Sequence, residues 1–119
     1  MATKSIAKKT VATCTGHMRP VRDALEVLHG RWKLPILVSL GFGPKRFKEI
    51  ARDAEGITDR MLSKELKEME LNQLVQRTVY DSFPPTVEYT ITEHGKSLQP
   101  VIQALAAWGE KHRQKVMKR

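Results

Sequence analysis

The chain has 119 residues, 40% hydrophobic and 29% charged, with a formal net charge of +8, which suits one small domain with a modest core. Only 6% of residues are aromatic, so Leu, Val, Ile and Met must build that core, and a partner chain could complete it. One cysteine, Cys14, excludes an intrachain disulfide, His17, His29, His94 and His112 are scattered without a metal-ligand cluster, and no phosphate loop, nucleophile–base pair, signal core or membrane-length apolar run occurs; the expectation is a cytoplasmic protein, not an enzyme, with no cofactor, no metal and no membrane partner.

In chain order, residues 1–13 lack periodicity and are rich in Lys, Thr, Ala and Ser, predicting a flexible basic arm. Pro20 suits the first turn of a helix running to about His29, with Val21, Leu25 and Leu28 at helical spacing and Gly30 as its stop. A second helix, about Trp32–Leu40, is apolar on most sides and should be the buried central one, with Pro35 early enough to be tolerated. Gly41-Phe42-Gly43-Pro44 ends it. A shorter helix opens at Lys45-Arg46-Phe47-Lys48-Glu49-Ile50 and closes at Glu55-Gly56.

Ile57–Asn72 then predicts the most informative helix. At 100° per residue, Leu62, Leu66 and Met69 fall on one side and Arg60, Ser63, Lys64 and Lys67 on the other. Thr58 is placed to cap it, and Asp59 suits the positive end of the helix dipole. Two helices meeting across a short turn make a helix-turn-helix pattern. Leu74–Tyr80 and Thr86–Thr92 read as strands joined by the stiff turn Asp81-Ser82-Phe83-Pro84-Pro85, with Val87, Tyr89 and Ile91 on one face, and this hairpin is a wing.

The last predicted helix runs from about Glu93 to Val116, capped by Thr92 and bent at Pro100. Its stripe of Leu98, Val101, Ile102, Leu105, Trp108 and His112 is longer than so small a domain can cover. It either folds back on its own core or pairs with a second copy, and a two-fold dimer, with Val21 and Leu25 joining the interface, would also pair two recognition helices.

Lysines on one helix face are most often solvated surface. Here a helix-turn-helix followed by a wing in a basic chain selects double-stranded nucleic acid as the partner. The charge excess sits at the ends: residues 1–22 carry +5 and residues 111–119 carry +5, while residues 23–110 sum to −2. These ends are either solvated tails or segments lying along phosphates. The organisation is thus an arm, 1–13, a winged helix-turn-helix domain with dimerisation helices, 14–112, and a basic tail, 113–119. The fold class is mainly α with a small β-hairpin.

The order of elements, together with Pro20-Val21, Gly30-Arg31-Trp32-Lys33, Gly43-Pro44-Lys45-Arg46-Phe47-Lys48-Glu49-Ile50, Gly56-Ile57-Thr58, Pro84-Pro85-Thr86-Val87-Glu88-Tyr89 and Thr92-Glu93-His94-Gly95, resembles the HxlR-type winged helix-turn-helix transcriptional regulators over roughly residues 14–112. The resemblance implies a bacterial or archaeal homodimer on a short palindromic operator. It places Arg60, Ser63, Lys64 and Lys67 in the major groove, Arg46, Lys48 and Arg77 at phosphates, and Thr86 of the wing beside them. Arg77 has an alternative partner in Glu88 across the hairpin.

Two positions depart from the family pattern. Arg19 stands where a sensing cysteine usually precedes the Pro-Val pair, with Cys14 six residues before Pro20; Thr86 replaces a basic wing residue. Cys14 is either an incidental arm cysteine or, near Lys8, Lys9, His17 and Arg19, a redox-sensing thiolate. Non-specific, architectural DNA coating is the alternative function, docking of an acidic protein a third, and a small-molecule effector between dimer helices near Trp32 and Trp108 remains open.

Overall fold

The computed structural model describes residues 11–117, with side chains placed from residue 16 onward except at residue 17. Two compact units divide at Gly30 and Arg31. In the first, helix α1 spans Val11–Val27 and holds Pro20 in its interior. The helix therefore starts well before Pro20, which the N-terminal preference of proline had suggested as its first turn. Val11, Ala12 and Thr13 of the expected arm belong to it, and the rest of that arm lies outside the described residues. Gly30, at φ 91°, follows as the expected stop.

The second unit is built on α2, Lys33–Leu40, whose Ile36, Leu37 and Leu40 are buried. Val38 is exposed, so α2 has one open side. Helix α3, Phe47–Asp53, begins where the Glu49 carboxylate accepts the Arg46 N–H at 2.8 Å, satisfying one of the donors a helix start leaves unpaired. Ile50, Ala54 and Ile57 are buried in the core, and Gly56, at φ 94°, turns the chain into α4, Asp59–Leu71.

The Thr58 hydroxyl accepts the Met61 N–H at 3.1 Å, the expected cap. At the other end Gln73 takes a left-handed φ of 61°, its N–H reaching the Glu70 carbonyl at 3.0 Å and the Leu74 N–H the Met69 carbonyl at 2.9 Å. This double closure usually employs glycine. Gln73→Gly is therefore expected to stabilise the fold by about 0.5 kcal/mol, relief of left-handed strain outweighing the added freedom of the unfolded chain; a shift in the urea midpoint measures it.

Strands β1, Val75–Tyr80, and β2, Thr86–Ile91, form an antiparallel hairpin with Val75 opposite Ile91 and Arg77 opposite Tyr89. Lys45 adds a bridge to the free edge of β2, its N–H donating to the Tyr89 carbonyl at 3.0 Å and its carbonyl accepting the Tyr89 N–H at 2.8 Å. The wing is thereby tied to the segment entering α3. This register overturns the Arg77–Glu88 alternative. Glu88 lies opposite Thr78, so the two charges project from opposite faces of the hairpin.

The long terminal helix is also revised. A short helix α5, Glu93–Lys96, is followed by a break and then by α6, Gln99–Met117. Thr92 caps α5 as expected, its hydroxyl accepting the Gly95 N–H at 2.9 Å while donating to the Gln73 carbonyl at 2.6 Å. Pro100 falls in the first turn of α6, where its missing N–H breaks no intrahelical bond, so it ends up beside the break rather than bending a continuous helix. No residue of α6 is buried. Leu98 and Ile102 are half-buried, whereas Val101, Leu105 and Trp108 are exposed.

Candidate nucleic-acid interface

Burial of Leu62, Leu66 and Met69, each at 1% exposure or less, fixes the rotation of α4. The opposite residues Arg60, Ser63, Lys64 and Lys67 are all exposed. Among the described residues no ion pair joins Arg60, Lys64 or Lys67 to a carboxylate of this chain. By formal count α4 carries more acid than base, because Asp59, Glu65, Glu68 and Glu70 outnumber the three cations. The face is cationic all the same, since most of those carboxylates have partners elsewhere.

Lys33 supplies the main one. It opens α2 at 1% exposure, and its ammonium lies 2.5 Å from Glu65 and 2.7 Å from Glu68. Burial pushes the Lys33 pKa down, but the hydrogen bonds and charges of Glu65 and Glu68 outweigh it, and the pKa ends above its ordinary value of 10.5. Asp59 is met by Lys48 at 3.3 Å, a fully surface pair. The family resemblance points to Lys48 as a phosphate contact, and sequence reading passes over Lys33, which lies 32 and 35 positions from its partners.

A second cluster braces the supporting helix. Asp53, closing α3, accepts from Lys45 at 2.5 Å and from the Ser39 hydroxyl of α2 at 2.7 Å. The Lys45 hydrogen bond, then that of Ser39, holds the Asp53 carboxyl below its ordinary pKa. Sequence reasoning missed this cluster too, since neither Ser39 nor Asp53 stands out by spacing.

Arg46, Lys48 and Arg77 are exposed, and Thr86 is half-buried at the start of β2. Arg46 and Lys48 share an open cavity with Pro84, Pro85, Thr86 and Glu88 of the wing, so the start of α3 and the root of the wing tip form one surface. Val21 and Leu25 of α1 are exposed. Cys14 falls within α1, and its side chain lies outside the described residues. Trp32 is buried beneath the Arg31 guanidinium, 4.6 Å from its ring centre, whereas Trp108 stacks on His112 at 4.8 Å. A cavity of about 330 Å³ opens between α2, α5 and α6, lined by Leu37, Phe42, Ile91 and Ile102 but by neither tryptophan. Among the described residues no group of His, Cys, Asp and Glu is placed to hold a metal ion, and no helix is long and apolar enough to cross a membrane.

Helix, turn, capped amphipathic helix and hairpin together define a winged helix-turn-helix protein with its second helix presented outward. Residues 27–117 match the HxlR-like helix-turn-helix family, and the chain belongs to that family. It is similar to the uncharacterized HTH-type transcriptional regulator YdeP of Bacillus subtilis (strain 168), 41% identical over 99 residues that cover 83% of this chain and 77% of YdeP. Among solved structures it is similar to the redox regulator HypR in its reduced form (TM-score 0.77, 39% identity, 84% of this chain and 99% of that one). It is similar also to the reduced form of the transcriptional regulator YodB from B. subtilis (TM-score 0.69, 42% identity, 78% and 88%). The protein is a transcriptional regulator of this helix-turn-helix type, and its relatives are regulators rather than enzymes.

Proposed function

We propose that the protein binds a palindromic operator as a homodimer, with α4 of each subunit in the major groove of a half-site. The observation that carries this reading is the outward face of α4, on which Arg60, Lys64 and Lys67 are exposed and unpaired with any described carboxylate while Leu62, Leu66 and Met69 anchor the helix beneath. Arginine and lysine at such positions donate to guanine O6 and N7, Ser63 serves base or phosphate, and Arg46, Lys48, Arg77 and Thr86 act toward the backbone. The twofold pairing draws on Val21 and Leu25 of α1 and on Leu98, Val101, Ile102, Leu105 and Trp108, because no residue of α6 is fully buried within its own chain and Val101, Leu105 and Trp108 are exposed. HypR is described as a redox regulator; Cys14, the one thiol here, is the candidate for a redox effector.

Selection of bound fragments from genomic DNA yields the operator and its half-site spacing. On that site Arg60→Ala and Lys64→Ala are each expected to weaken binding by about 1–3 kcal/mol with relaxed base preference, as fluorescence anisotropy against operator and random duplex measures. Removal of the basic terminal residues instead weakens all DNA alike and flattens the salt dependence. Equal losses on operator and random duplex for every variant would overturn operator recognition and assign the protein to DNA-coating architectural proteins.

A further inference from the structure

Operator recognition by α4 leaves unused the cavity of about 330 Å³ between α2, α5 and α6. Its floor is Leu37, at 2% exposure, with Ile91, Gly95 and the half-buried Ile102 beside it. Val38 and Phe42 stand exposed at the mouth. At the ~30 Å³ that one water takes in the liquid, the space equals about eleven non-hydrogen atoms, the size of a small organic molecule.

The polar groups of the lining are few and converge. Lys96, Gln99 and Gln103 share one side of the cavity, and among the described residues Lys96 is the one charged group that lines it. Glu93 holds that ammonium only at 3.5 Å, between side chains 57% and 94% exposed, so water weakens the pair and the amine is free to turn to a better anion. Helix α6, 19 residues long, opens at Gln99, which brings the positive end of its dipole to the same side. The charge that fits is negative. Phe42, at 82% exposure, offers a ring for another ring to pack against.

The cavity also lies apart from the stripe assigned to subunit pairing. At 100° per residue, Gln99 and Gln103 each stand about 160° round α6 from Val101, with Leu105 and Trp108 close to Val101 and Ile102 at the border between the two faces. A second copy seated on the stripe leaves the cavity open. Its walls nevertheless reach both functional elements: α2 carries Lys33, which holds Glu65 and Glu68 of α4, and α6 carries the stripe itself. A molecule bridging α2 and α6 therefore acts on operator affinity to the extent that it prefers one arrangement of them.

We propose that this cavity binds a small aromatic monocarboxylate, its ring among Leu37, Phe42, Ile91 and Ile102 and its carboxylate on Lys96, and that occupancy changes operator affinity. The second part rests on the DNA-binding reading of α4; the first does not.

Calorimetric titration of the full chain tests the site with three probes: 3-phenylpropionate, the neutral 3-phenylpropanol, and acetate. The aromatic acid should bind about tenfold more tightly than the alcohol, the scale of one charge-assisted hydrogen bond, and acetate should not bind. Lys96→Met should erase that tenfold difference and leave the alcohol unchanged. Gln103→Trp, which fills the cavity from an exposed position of α6, should abolish binding of both aromatic probes. Saturating 3-phenylpropionate should change the operator affinity of the parent about fivefold or more, by fluorescence anisotropy, and that of Gln103→Trp not at all. Failure of the aromatic acid to bind, equal binding of acetate, or undiminished binding to Gln103→Trp overturns the site. Should gel filtration show that Gln103→Trp splits the dimer while no probe binds the parent, a second copy covers the cavity and the site is likewise overturned. Binding that leaves operator affinity unchanged overturns the regulatory part with the α4 reading intact, whereas a parent protein that binds no operator in either condition overturns the α4 reading and leaves the calorimetry to judge the site.

Discussion

Lys33→Met is expected to destabilise the fold by about 3–5 kcal/mol, the scale of an ion pair broken inside a protein by loss of one partner. Methionine keeps the unbranched stem in the space at the start of α2 and deletes only the ammonium, so the loss reports charge rather than volume. What remains is the Glu65 carboxylate, whose side chain is 12% exposed, and Glu68, at 35%. Solvent screens Glu68 in part, so the larger share of the penalty falls on Glu65. Urea denaturation at neutral pH measures the loss, and the double variant Lys33→Met, Glu65→Gln should recover part of it, since the carboxylate left facing the apolar side chain is then neutral as well.

The same pair makes a prediction in pH. Because the folded-state pKa of Lys33 is raised above 10.5, its contribution is complete below that value and disappears as pH rises through the raised one. The stability difference between parent and Lys33→Met should therefore hold from neutral to mildly alkaline pH and shrink above 10.5. A difference that instead grew with alkalinity would contradict the assignment. At the acid end Asp53 behaves oppositely. Its lowered pKa stabilises the fold above the ordinary carboxylate value of 3.8, and that stabilisation fades as pH falls through the lowered value.

The second large effect is expected at Gly95. A β-carbon there would stand 2.3 Å from the Leu74 carbonyl oxygen and 2.7 Å from Ile91 Cγ1, both closer than atoms can pack. The Leu74 oxygen cannot simply yield. It accepts the Thr92 N–H at 3.0 Å and lies 3.1 Å from the Thr92 hydroxyl that caps α5. Gly95→Ala must therefore part α5 from the end of β2 or undo the cap, at a cost of about 3 kcal/mol by analogy with overpacked interiors. Thermal unfolding should show a lower midpoint. The neighbouring substitution His94→Ala, at an exposed position, should leave it almost unchanged and so separate the steric effect from simple loss of helix.

These two sites show where reading the chain falls short. Helix α4 was legible because its apolar period, its Thr58 cap and its acidic first turn are local signals that agree, and the structure places Leu62, Leu66 and Met69 as that period requires. The hairpin was legible in extent for the same reason, from its β-branched runs and proline turn. Its register was not, because alternation along β1 is partial and only the ladder itself puts Glu88 opposite Thr78. The break between α5 and α6 was missed since no breaker marks Ser97 or Leu98; its neighbourhood is set by the close approach of Gly95 to Leu74, a contact between segments far apart in sequence. Lys33 was passed over because a lysine opening an apolar helix reads as surface, and only its distant carboxylate partners explain its burial. The outward residues of α4 could be named from spacing, whereas the neutralisation that leaves their charge unopposed could not.

A practical freedom follows from the division of labour within α4. Inward residues hold the fold, and Asp59, Glu65 and Glu68 are occupied with Lys48 and Lys33, whereas Arg60, Ser63, Lys64 and Lys67 have no structural duty among the described contacts. Those four positions can be randomised together in a library with little effect on folding, and the scaffold retargeted to new sequences by selection. Evolution within such a scaffold can likewise diversify specificity without first accumulating reserve stability.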